Sequence, residues 1–435
     1  MAQANQDTME PVITSFLDTD MYKLTMHAAV YTHFKDVKVK YKYTNRSPQM
    51  TFNKEAVEWL KGQFLLLANI KLTTEELKYI KEAIPYLPAE YLEFISNGGF
   101  EVNPKDEIKF EAREIEGKPG HYELDISIEG LWIKTIWYEI PVLALVSEAY
   151  FKFVDTDWTY DGQVEKAYAK AKKLLDHDIV FSEFGTRRRR SFKTQDLVMQ
   201  GIVNAAKDCD KSKYVLGTSN VLFAKKYNVN PIGTVAHEWM MGIASITNDY
   251  LNANKNAMDY WIETFGMENA GLALTDTFGT DSFLKSFYPP YSDAYIGVRQ
   301  DSGDPILYTE KIAHHYNDVL KLPKFSKIIC YSDSLNPDRA IEYAQAAHEH
   351  GLKATFGIGT NFTNDFQRKS DVSVKSEPLN IVIKLLEVNG NHAIKISDNL
   401  GKNMGDPETV RRVKQELGYV ERKYAGDNEA HRWAA

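Results

Sequence analysis

The sequence predicts an α/β fold, in which a closed or nearly closed barrel of parallel strands is joined to an α+β domain. Three observations support it: the chain length, a repeating strand-and-helix pattern in the middle, and a different pattern at both ends. The 435 residues, 43% of them hydrophobic, suffice for two domains. We expect an N-terminal α+β domain over residues 1–155 and the barrel over residues 156–375. Residues 376–435 should rejoin the N-terminal domain or cap the barrel.

The N-terminal part mixes helical and strand patterns. Residues 57–70 carry apolar residues at helical spacing, and a Thr-Thr-Glu-Glu sequence predicts a capped helix over residues 73–84. Apolar and polar residues alternate over residues 121–140, which predicts a hairpin or meander after the turn at residues 118–120. Helices are predicted next over residues 141–153 and 162–175.

Short apolar runs recur in the middle of the chain, and each ends in a polar cluster followed by a helical stretch. Runs such as GLALT, AYIGV, KIICY and KATFG are bounded by turn residues, as buried parallel strands are. The clusters lie at residues 182–185, 217–220, 236–238, 275–277, 299–304, 332–334 and 357–360. Because the carboxyl ends of barrel strands converge on one face, the clusters should build one functional face.

The pattern changes again after residue 375. Residues 379–388 and 392–397 predict two strands joined by an Asn-Gly-Asn turn. A charged helix is predicted over residues 407–417, followed by a polar tail. This part should therefore return to the N-terminal domain or cover the barrel.

Composition excludes several classes of protein. The formal net charge of -8 argues against a nucleic-acid partner, and no stretch of apolar residues is long enough to predict a membrane span. The N-terminus lacks the basic region and apolar core of a secretory signal. Two cysteines, Cys209 and Cys330, favour a reducing compartment. We expect a cytoplasmic protein, with passive access to the nucleus as a further option.

The sequence Gly357-Ile358-Gly359-Thr360 follows a predicted strand and is a candidate phosphate-binding loop. Glycines let backbone N–H groups approach a phosphate closely, and a helix that starts after them adds its dipole. An ordinary tight turn explains the local pattern equally well.

Charged residues end three further strands. Arg299 could grip a phosphate and Asp301 could hold ribose hydroxyls or magnesium, although an Arg–Asp pair that fixes a loop is the alternative. Asp276 and Asp333 end neighbouring strands, so three carboxylates can share the face. Such a cluster is costly unless a metal ion or a positively charged reaction centre offsets it.

A run of four arginines, residues 187–190, follows Phe184. Such runs are usually solvated, and at most one or two of the four should point into a pocket. Phe184 beside one of them would place a flat apolar wall next to a cation, which suits a small aromatic acid. His237 stands alone at a strand end; a structural role is the commoner explanation of a lone histidine, but its position favours function.

Together these motifs resemble the nicotinate phosphoribosyltransferase family, particularly its fungal members. The motifs stand in the family order at residues 18–23, 43–46, 181–189, 217–220, 233–238, 299–305, 331–336 and 356–366. The resemblance extends from about residue 11 to the C-terminus. It implies the type II phosphoribosyltransferase fold, an irregular α/β barrel plus a discontinuous α+β domain.

The resemblance also implies a reaction. Nicotinate and phosphoribosyl pyrophosphate would give nicotinate mononucleotide and pyrophosphate, the first step of NAD salvage from nicotinate. ATP would be a co-substrate, cleaved to ADP and phosphate through a transient phosphohistidine at His237, as in a ligase-type enzyme. Magnesium would accompany the pyrophosphate and ATP, with ligands that the sequence does not identify. The implied catalytic residues are His237, Asp276, Asp301 and Asp333.

Substrate-binding roles follow motif by motif from the same resemblance. Tyr22, Phe184 and Arg187 would hold the pyridine ring and its carboxylate. Arg299, Asp301 and Asp333 would handle the phosphoribosyl unit, and Gly357, Gly359 and Thr360 its 5′-phosphate. Relatives that prefer nicotinamide have an aspartate at the position of Ser219, so a serine there favours the acid.

Several alternatives stay open at this stage. The acceptor could be nicotinamide or another pyridine, and a barrel lyase or glycosidase and an inactive binding protein are rivals from other classes. A homodimer is a further option, because the tyrosine at the Tyr22 position reaches a neighbouring subunit in some relatives.

Overall fold

The computed structural model describes residues 9–399 and 403–420. The first eight residues, which form part of the predicted non-secretory N-terminus, and most of the predicted polar tail lie outside the described residues. No helix within the described ranges has both the length and the apolar character needed to cross a membrane.

The helices are numbered in chain order. In the first half of the chain they are α1 (Met21–His33), α2 (Lys54–Leu66), α3 (Thr74–Ala83), α4 (Ala89–Ser96), α5 (Pro104–Glu107), α6 (Trp132–Thr135), α7 (Glu139–Phe153), α8 (Gln163–Asp176) and α9 (Phe192–Asp208). In the second half they are α10 (Val221–Tyr227), α11 (His237–Thr247), α12 (Ala253–Phe265), α13 (Thr280–Leu284), α14 (Tyr291–Ala294), α15 (Pro305–Ala313), α16 (Pro337–Glu349), α17 (Thr360–Thr363) and α18 (Pro407–Leu417).

The strands form two main sheets and one short pair. They are β1 (Lys38–Asn45), β2 (Ile108–Glu114), β3 (Tyr122–Leu131), β4 (Phe181–Glu183), β5 (Val215–Thr218), β6 (Asn230–Pro231), β7 (Leu272–Leu274), β8 (Gly297–Gln300), β9 (Ile328–Tyr331), β10 (Lys353–Ile358), β11 (Phe366–Gln367), β12 (Lys375–Ser376), β13 (Ile381–Val388) and β14 (Asn391–His392).

The predicted barrel is a curled half-barrel of parallel strands. Its order is β6-β5-β4-β10-β9-β8-β7, and all six neighbouring pairs are parallel. Each of the seven strands leads into one of the predicted polar clusters, so these clusters do lie along one end of the sheet. Strands β6 and β7 are the two edges of this sheet, so the barrel does not close. The prediction of a nearly closed barrel is confirmed, and that of a fully closed barrel is not.

The second sheet is antiparallel and combines strands from both ends of the chain. Its order is β14-β13-β1-β3-β2. Strand β1 lies between β3 and the distant β13, with Asn45 opposite Ile381 and Val39 opposite Val388. The α+β part of the fold is therefore discontinuous, as the family resemblance implied.

The hairpin predicted over residues 121–140 forms nearer the N-terminus, between β2 and β3. Strand β3 ends at Leu131 and pairs with the preceding β2 across the predicted turn at residues 118–120. The prediction of strand structure for residues 132–140 is wrong, because that segment begins α6 and α7. Its apolar residues follow helical as well as alternating spacing, and the helical form buries them: Trp132, Ile133, Ile136, Trp137 and Ile140.

The second predicted hairpin forms only in part. Asn389 and Gly390 both have positive φ, 48° and 83°, as a tight two-residue hairpin turn requires. The returning strand β14 stops at His392, whereas a strand to residue 397 was predicted. The chain then leaves the sheet because the Ile396 N–H donates to the carbonyl of Thr277, beyond β7, at 2.8 Å. This crossing brings residues 393–399 to the mouth of the half-barrel.

The predicted helices agree closely with the structure. Helix α3 begins with the predicted capping box, in which Thr73 and Glu76 bond each other's backbone N–H groups. Helix α18 covers residues 407–417 as predicted. Helix α7 is buried along almost its whole length and packs against α2. It also brings Glu139, its first residue, to the edge of the pocket described next.

Candidate active site

A pocket of about 290 Å³ lies between the carboxyl ends of the parallel strands and the antiparallel sheet. One wall is built by the loops after β4, β8, β9 and β10 and by the start of α11. Residues of β1 and β13 form the opposite wall, among them Tyr41, Ile383 and Leu385. Loops at this end of parallel strands commonly form binding sites, and here two sheets enclose the space.

Phe184 and Arg187 lie together on the wall that follows β4. The Phe184 N–H donates to the carbonyl of Ile358 at 2.8 Å, which fixes the loop against β10. The Arg187 side chain is 42% exposed, and its Nη1 lies 3.4 Å from Glu139 Oε1. An aromatic face and a solvent-accessible guanidinium thus line one space, as the sequence predicted for an aromatic acid.

The arginine run is largely buried rather than solvated. Arg189 and Arg190 have 0% exposure. Arg189 donates from both terminal nitrogens to the two carboxylate oxygens of Asp18, each at 2.8 Å. Arg190 donates to Asn364 and Ser376 and lies over the ring of Phe151. The expectation that at most two of the four point into a pocket agrees with the structure, in which Arg187 and Arg188 line it.

Ser219 and Tyr22 lie behind the pocket wall, and neither is among the described residues that line the pocket. The Ser219 hydroxyl donates to Asp20 Oδ1 at 2.7 Å, and the Met21 N–H donates to the Ser219 carbonyl at 2.7 Å. These bonds hold the N-terminal motif against the end of β5. The Tyr22 hydroxyl lies 3.4 Å from Glu139 Oε2 in the same chain.

The acid beside Ser219 is Asp20, which sequence reasoning did not single out. Burial raises the pKa of the Asp20 carboxyl, and the nearby Arg187 and the Ser219 and Thr186 hydroxyls only partly offset this. The serine position therefore does not remove all acidic groups from the neighbourhood of Arg187. It contributes a hydroxyl that bonds the acid already present.

Arg299 is held mainly by the protein itself. It donates to Ser332 Oγ at 2.8 Å, Thr234 Oγ1 at 2.8 Å, the Val235 carbonyl at 3.3 Å and Asp301 Oδ1 at 2.7 Å. A guanidinium has five N–H donors, so these four contacts leave little capacity for a ligand. The Arg–Asp loop pair considered as the alternative is therefore present, and the charge of Arg299 still faces the pocket.

His237 begins α11 and lies close to two carboxylates and a lysine. Its Nε2 lies 2.8 Å from Asp276 Oδ1, 3.5 Å from Asp301 Oδ2 and 2.8 Å from Lys395 Nζ. One nitrogen cannot donate to Asp276 and accept from Lys395 at once. We assign the proton to Nε2, because donation then satisfies a buried carboxylate while Lys395 interacts with Asp276 Oδ2 at 3.1 Å.

The charges around His237 favour its neutral form. Burial lowers the pKa of His237, Lys395 lowers it further, and Asp276 only partly opposes them. Burial alone would raise the pKa of Asp276, but Lys395 and then His237 hold it well below its usual value. The histidine is thus neutral near pH 7, beside an ionised carboxylate, and a neutral imidazole is nucleophilic.

The glycine loop closes the pocket at the end of β10. Gly357, Gly359, Thr360 and Asn361 all line it, and Asp333 lies on the neighbouring loop after β9. A side chain at Gly357 would meet the Phe184 ring, and one at Gly359 would come within 2.8 Å of the Phe184 carbonyl oxygen. Both glycines are thus required for the close packing of the two loops. Thr360 starts the short helix α17.

Three side chains around His237 lie close enough together to be considered as a metal site. His237, Asp276 and Asp301 each offer one ligand atom, all within 4.8 Å of one another. The Lys395 ammonium occupies the same neighbourhood, and one of the three donors is nitrogen. Magnesium prefers oxygen ligands and usually binds through one or two carboxylates plus substrate phosphates. The triad does not fit Mg²⁺, whereas Asp301 and Asp333 on the pocket wall supply suitable oxygens.

Comparisons with known proteins identify the family. A model described as the nicotinate phosphoribosyltransferase (NAPRTase) family matches residues 179–421, and a model of the NAPRTase N-terminal domain matches residues 17–147. The chain belongs to the nicotinate phosphoribosyltransferase family. The resemblance noted in the sequence is confirmed by these matches, which together span most of the chain.

Relatives in this family match over nearly the whole chain. The nicotinate phosphoribosyltransferase of Saccharomyces cerevisiae is 70% identical over 427 residues, 98% of this chain and 99% of that protein. A solved S. cerevisiae structure, also 70% identical, gives a TM-score of 0.94 and covers 95% of this chain and 100% of that chain. The crystal structure of nicotinate phosphoribosyltransferase from Porphyromonas gingivalis is 34% identical, with a TM-score of 0.83, and covers 94% and 100%.

Most of the predicted site residues converge on this pocket. Phe184, Arg187, His237, Arg299, Asp301, Asp333, Gly357, Gly359 and Thr360 line it; Asp276 bonds His237, and Tyr22 and Ser219 lie behind the wall. Sequence reasoning missed Lys395, Glu139 and Lys23. Lys395 interrupts the otherwise apolar sequence Ala393-Ile394-Lys395-Ile396, and a lysine in an apolar run was the signal available.

Proposed function

We propose that this protein is a nicotinate phosphoribosyltransferase that makes nicotinate mononucleotide and pyrophosphate from nicotinate and phosphoribosyl pyrophosphate. We further propose that it is ATP-coupled and ligase-type, and catalyses the first step of NAD salvage from nicotinate. The main support is that Phe184 and Arg187 share one pocket with the glycine loop over residues 357–360. An aromatic carboxylate and a phosphate can therefore be bound side by side.

The proposed transfer needs no general base. The lone pair of the pyridine nitrogen forms the bond to the anomeric carbon of ribose, while the bond from that carbon to pyrophosphate breaks and pyrophosphate leaves with the electron pair. Phe184 would pack on the ring, and Arg187 would bind the carboxylate. Burial alone would raise the pKa of the Asp301 carboxyl, but Arg299 holds it well below its usual value. The ionised Asp301 would stabilise the positive charge that develops on the ribose.

Magnesium and ATP are proposed as the remaining reactants. Mg²⁺ bound to pyrophosphate or ATP would be met by the Asp301 and Asp333 oxygens and would neutralise phosphate charge. A neutral His237, held by Asp276, would accept the γ-phosphoryl group of ATP: a nitrogen–phosphorus bond forms and ADP leaves. Later hydrolysis of that bond would release phosphate. With Nε2–H directed at Asp276, Nδ1 would carry the attacking lone pair, and it has no hydrogen-bond partner among the described residues.

Product analysis tests the proposal. Protein is incubated with phosphoribosyl pyrophosphate, magnesium and either nicotinate or nicotinamide, with and without ATP. We expect nicotinate mononucleotide, formed faster with ATP and accompanied by ADP. Turnover of nicotinamide alone would refute the proposed acceptor, and turnover of neither would refute the transferase activity.

The phosphohistidine is tested by His237→Ala. This variant should lose ATP-dependent ADP formation while slow transfer continues, because the pocket that binds the two other substrates is retained. His177→Ala, at an exposed histidine, is the control and should behave as wild type. ADP formation at the wild-type rate in His237→Ala would refute the assignment.

The assembly and location remain predictions. We propose a homodimer in the cytoplasm, with access to the nucleus as an option. Light scattering on the purified protein and fluorescence imaging of a tagged chain measure the two directly.

A further inference from the structure

A lysine buried behind the pocket is bonded to two glutamates. Lys23 on α1 has 0% exposure, and its Nζ lies 2.6 Å from Glu139 Oε2 and 2.5 Å from Glu238 Oε2. Glu238 also accepts from the Tyr41 hydroxyl at 2.5 Å and from Trp132 Nε1 at 2.7 Å. Because an unpaired buried charge is very costly, Lys23 and the two glutamates stabilise one another by pairing.

Glu139 lies between Lys23 and Arg187. Its Oε2 is 2.6 Å from Lys23 Nζ, whereas its Oε1 is 3.4 Å from Arg187 Nη1. The shorter contact involves the fully buried cation, where water screens the attraction least. The Glu139 side chain is 10% exposed and that of Arg187 is 42% exposed. The charge of Glu139 is thus balanced mainly from behind, and Arg187 keeps its open side towards the pocket.

Removing Lys23 would change the partner of Glu139. Burial alone would raise the pKa of Glu139, but Lys23, followed by Arg187, more than offsets that effect. Lys23 and Arg187 are the two cations that bond Glu139 among the described residues. Without Lys23, Glu139 would have Arg187 as its remaining cation. A guanidinium neutralised in this way binds a second carboxylate poorly, and Glu139 would also repel that carboxylate.

We propose that Lys23 is a specificity-determining positioning residue, which neutralises Glu139 so that Arg187 remains available for the carboxylate of nicotinate. Lys23 does not line the pocket in the described part of the chain, and its link to Arg187 runs through Glu139, the one of its two glutamate partners that contacts Arg187. The inference rests on the proposed function and deepens it. It explains how a site containing several acids can select an anionic acceptor over its neutral amide.

The experiment compares Lys23→Met, Glu139→Gln and the double variant with wild type. KM is measured for nicotinate, nicotinamide and phosphoribosyl pyrophosphate. Lys23→Met should raise the KM for nicotinate roughly 10- to 100-fold, the worth of one charge-assisted hydrogen bond, and change the other two KM values by less than about threefold. In the double variant, the KM for nicotinate should return to within about threefold of that of Glu139→Gln, because a neutral glutamine no longer competes for Arg187.

The pattern separates this role from a merely structural one. Lys211→Met, which breaks an exposed pair with Asp178, is the matched control and should leave all three KM values unchanged. An equal loss with nicotinate and nicotinamide, or no recovery in the double variant, would overturn the proposal.

Glu139→Gln tests whether Glu139 competes with nicotinate for Arg187, even if Lys23→Met does not fold. This variant keeps Lys23 paired with Glu238 and should leave the KM for nicotinate unchanged or lower it. A rise of roughly tenfold or more would mean that Glu139 orients Arg187, and would overturn the proposal. Wild-type protein that forms no nicotinate mononucleotide would overturn the proposed function itself and, with it, this inference. That failure appears before any variant is compared, so the two failures are distinguishable.

Discussion

Gly357→Ala tests the packing of the glycine loop against the aromatic wall of the pocket. The added methyl group would overlap Cδ2 and Cε2 of Phe184 and lie 3.1 Å from its Cγ. Gly357 is paired with Ser182 of β4, and the neighbouring Phe184 N–H is bonded to Ile358, so the backbone has little freedom to move. The half-buried Phe184 ring has space on its pocket side. We therefore expect the ring to move by roughly 1.5 Å into the pyridine subsite, to restore ordinary carbon–carbon contact.

The size of the expected rise in the KM for nicotinate follows from the free-energy cost of overpacking. Inserting one methyl group into a packed site usually costs about 1–3 kcal/mol, which corresponds to a factor of roughly 5 to 150 in binding. We expect the KM for nicotinate to rise within this range, and the KM for phosphoribosyl pyrophosphate to rise less than about threefold. Initial rates of nicotinate mononucleotide formation, measured against each substrate in turn, provide the two values.

A double variant shows whether the clash is the cause. In a Phe184→Leu background, which removes the ring, Gly357→Ala should add much less to the KM for nicotinate. Gly62→Ala is the control, because Gly62 lies in helix α2, away from the pocket. The methyl group added there would come within 2.5 Å of the Met9 sulfur, at the end of a flexible side chain that can move. The reasoning is refuted if folded Gly357→Ala has the wild-type KM for nicotinate, or if the same increase persists in the Phe184→Leu background.

Two further predictions concern stability. Arg189→Met leaves the buried Asp18 without its cation and should lower the free energy of unfolding, measured in urea, by about 3–5 kcal/mol. The control Arg113→Met breaks an exposed pair and should change that free energy by less than about 1 kcal/mol. Equal losses in the two variants would contradict the argument. Burial and the neighbouring Asp276 raise the pKa of Asp398 from 3.8 to about 6, so the folded state binds this proton more tightly than the unfolded chain. The stabilisation that comes from binding this proton is fully present below pH 3.8, the pKa in the unfolded chain, and is lost as pH rises through about 6, the pKa in the folded state. The unfolding free energy of wild type, relative to Asp398→Asn, should therefore fall by up to about 3 kcal/mol between roughly pH 4 and 7, and parallel pH profiles would refute this.

The local part of the site could be predicted from the sequence because it depends on residues that are neighbours in the chain. A short apolar run followed by a polar cluster is enough to place Asp276, Asp301 and Asp333 at strand ends. The same prediction for His237 is wrong, because β6 ends at Pro231 and His237 begins α11. Parallel pairing then brings those ends together whatever the details of the helices. The prediction of a strand at residues 132–140 failed for a related reason: two spacings were compatible with the same residues, and tertiary burial selected the helical one.

The contribution of Lys395 could not be predicted in this way. Its position depends on where the chain leaves the antiparallel sheet after β14, and that exit is fixed by a bond between Ile396 and Thr277, more than a hundred residues apart in the chain. Local pattern instead favours continuing the hairpin. The same long separation hides the network of Lys23, whose partner Glu238 is 215 residues away.

The four consecutive arginines, residues 187–190, affect both the stability of the protein and the binding of nicotinate. A continuous helix would have placed the four side chains around one axis, but here a 3-10 turn covers only Thr186–Arg188 and the chain is not helical at Arg189. Consecutive side chains therefore take different directions. Arg189 reaches Asp18 in the N-terminal motif, and Arg190 reaches Asn364 just after the glycine loop. These buried contacts fix the backbone that carries Arg187. Substitutions at Arg189 or Arg190 should consequently reduce nicotinate binding as well as stability, although neither side chain faces the pocket.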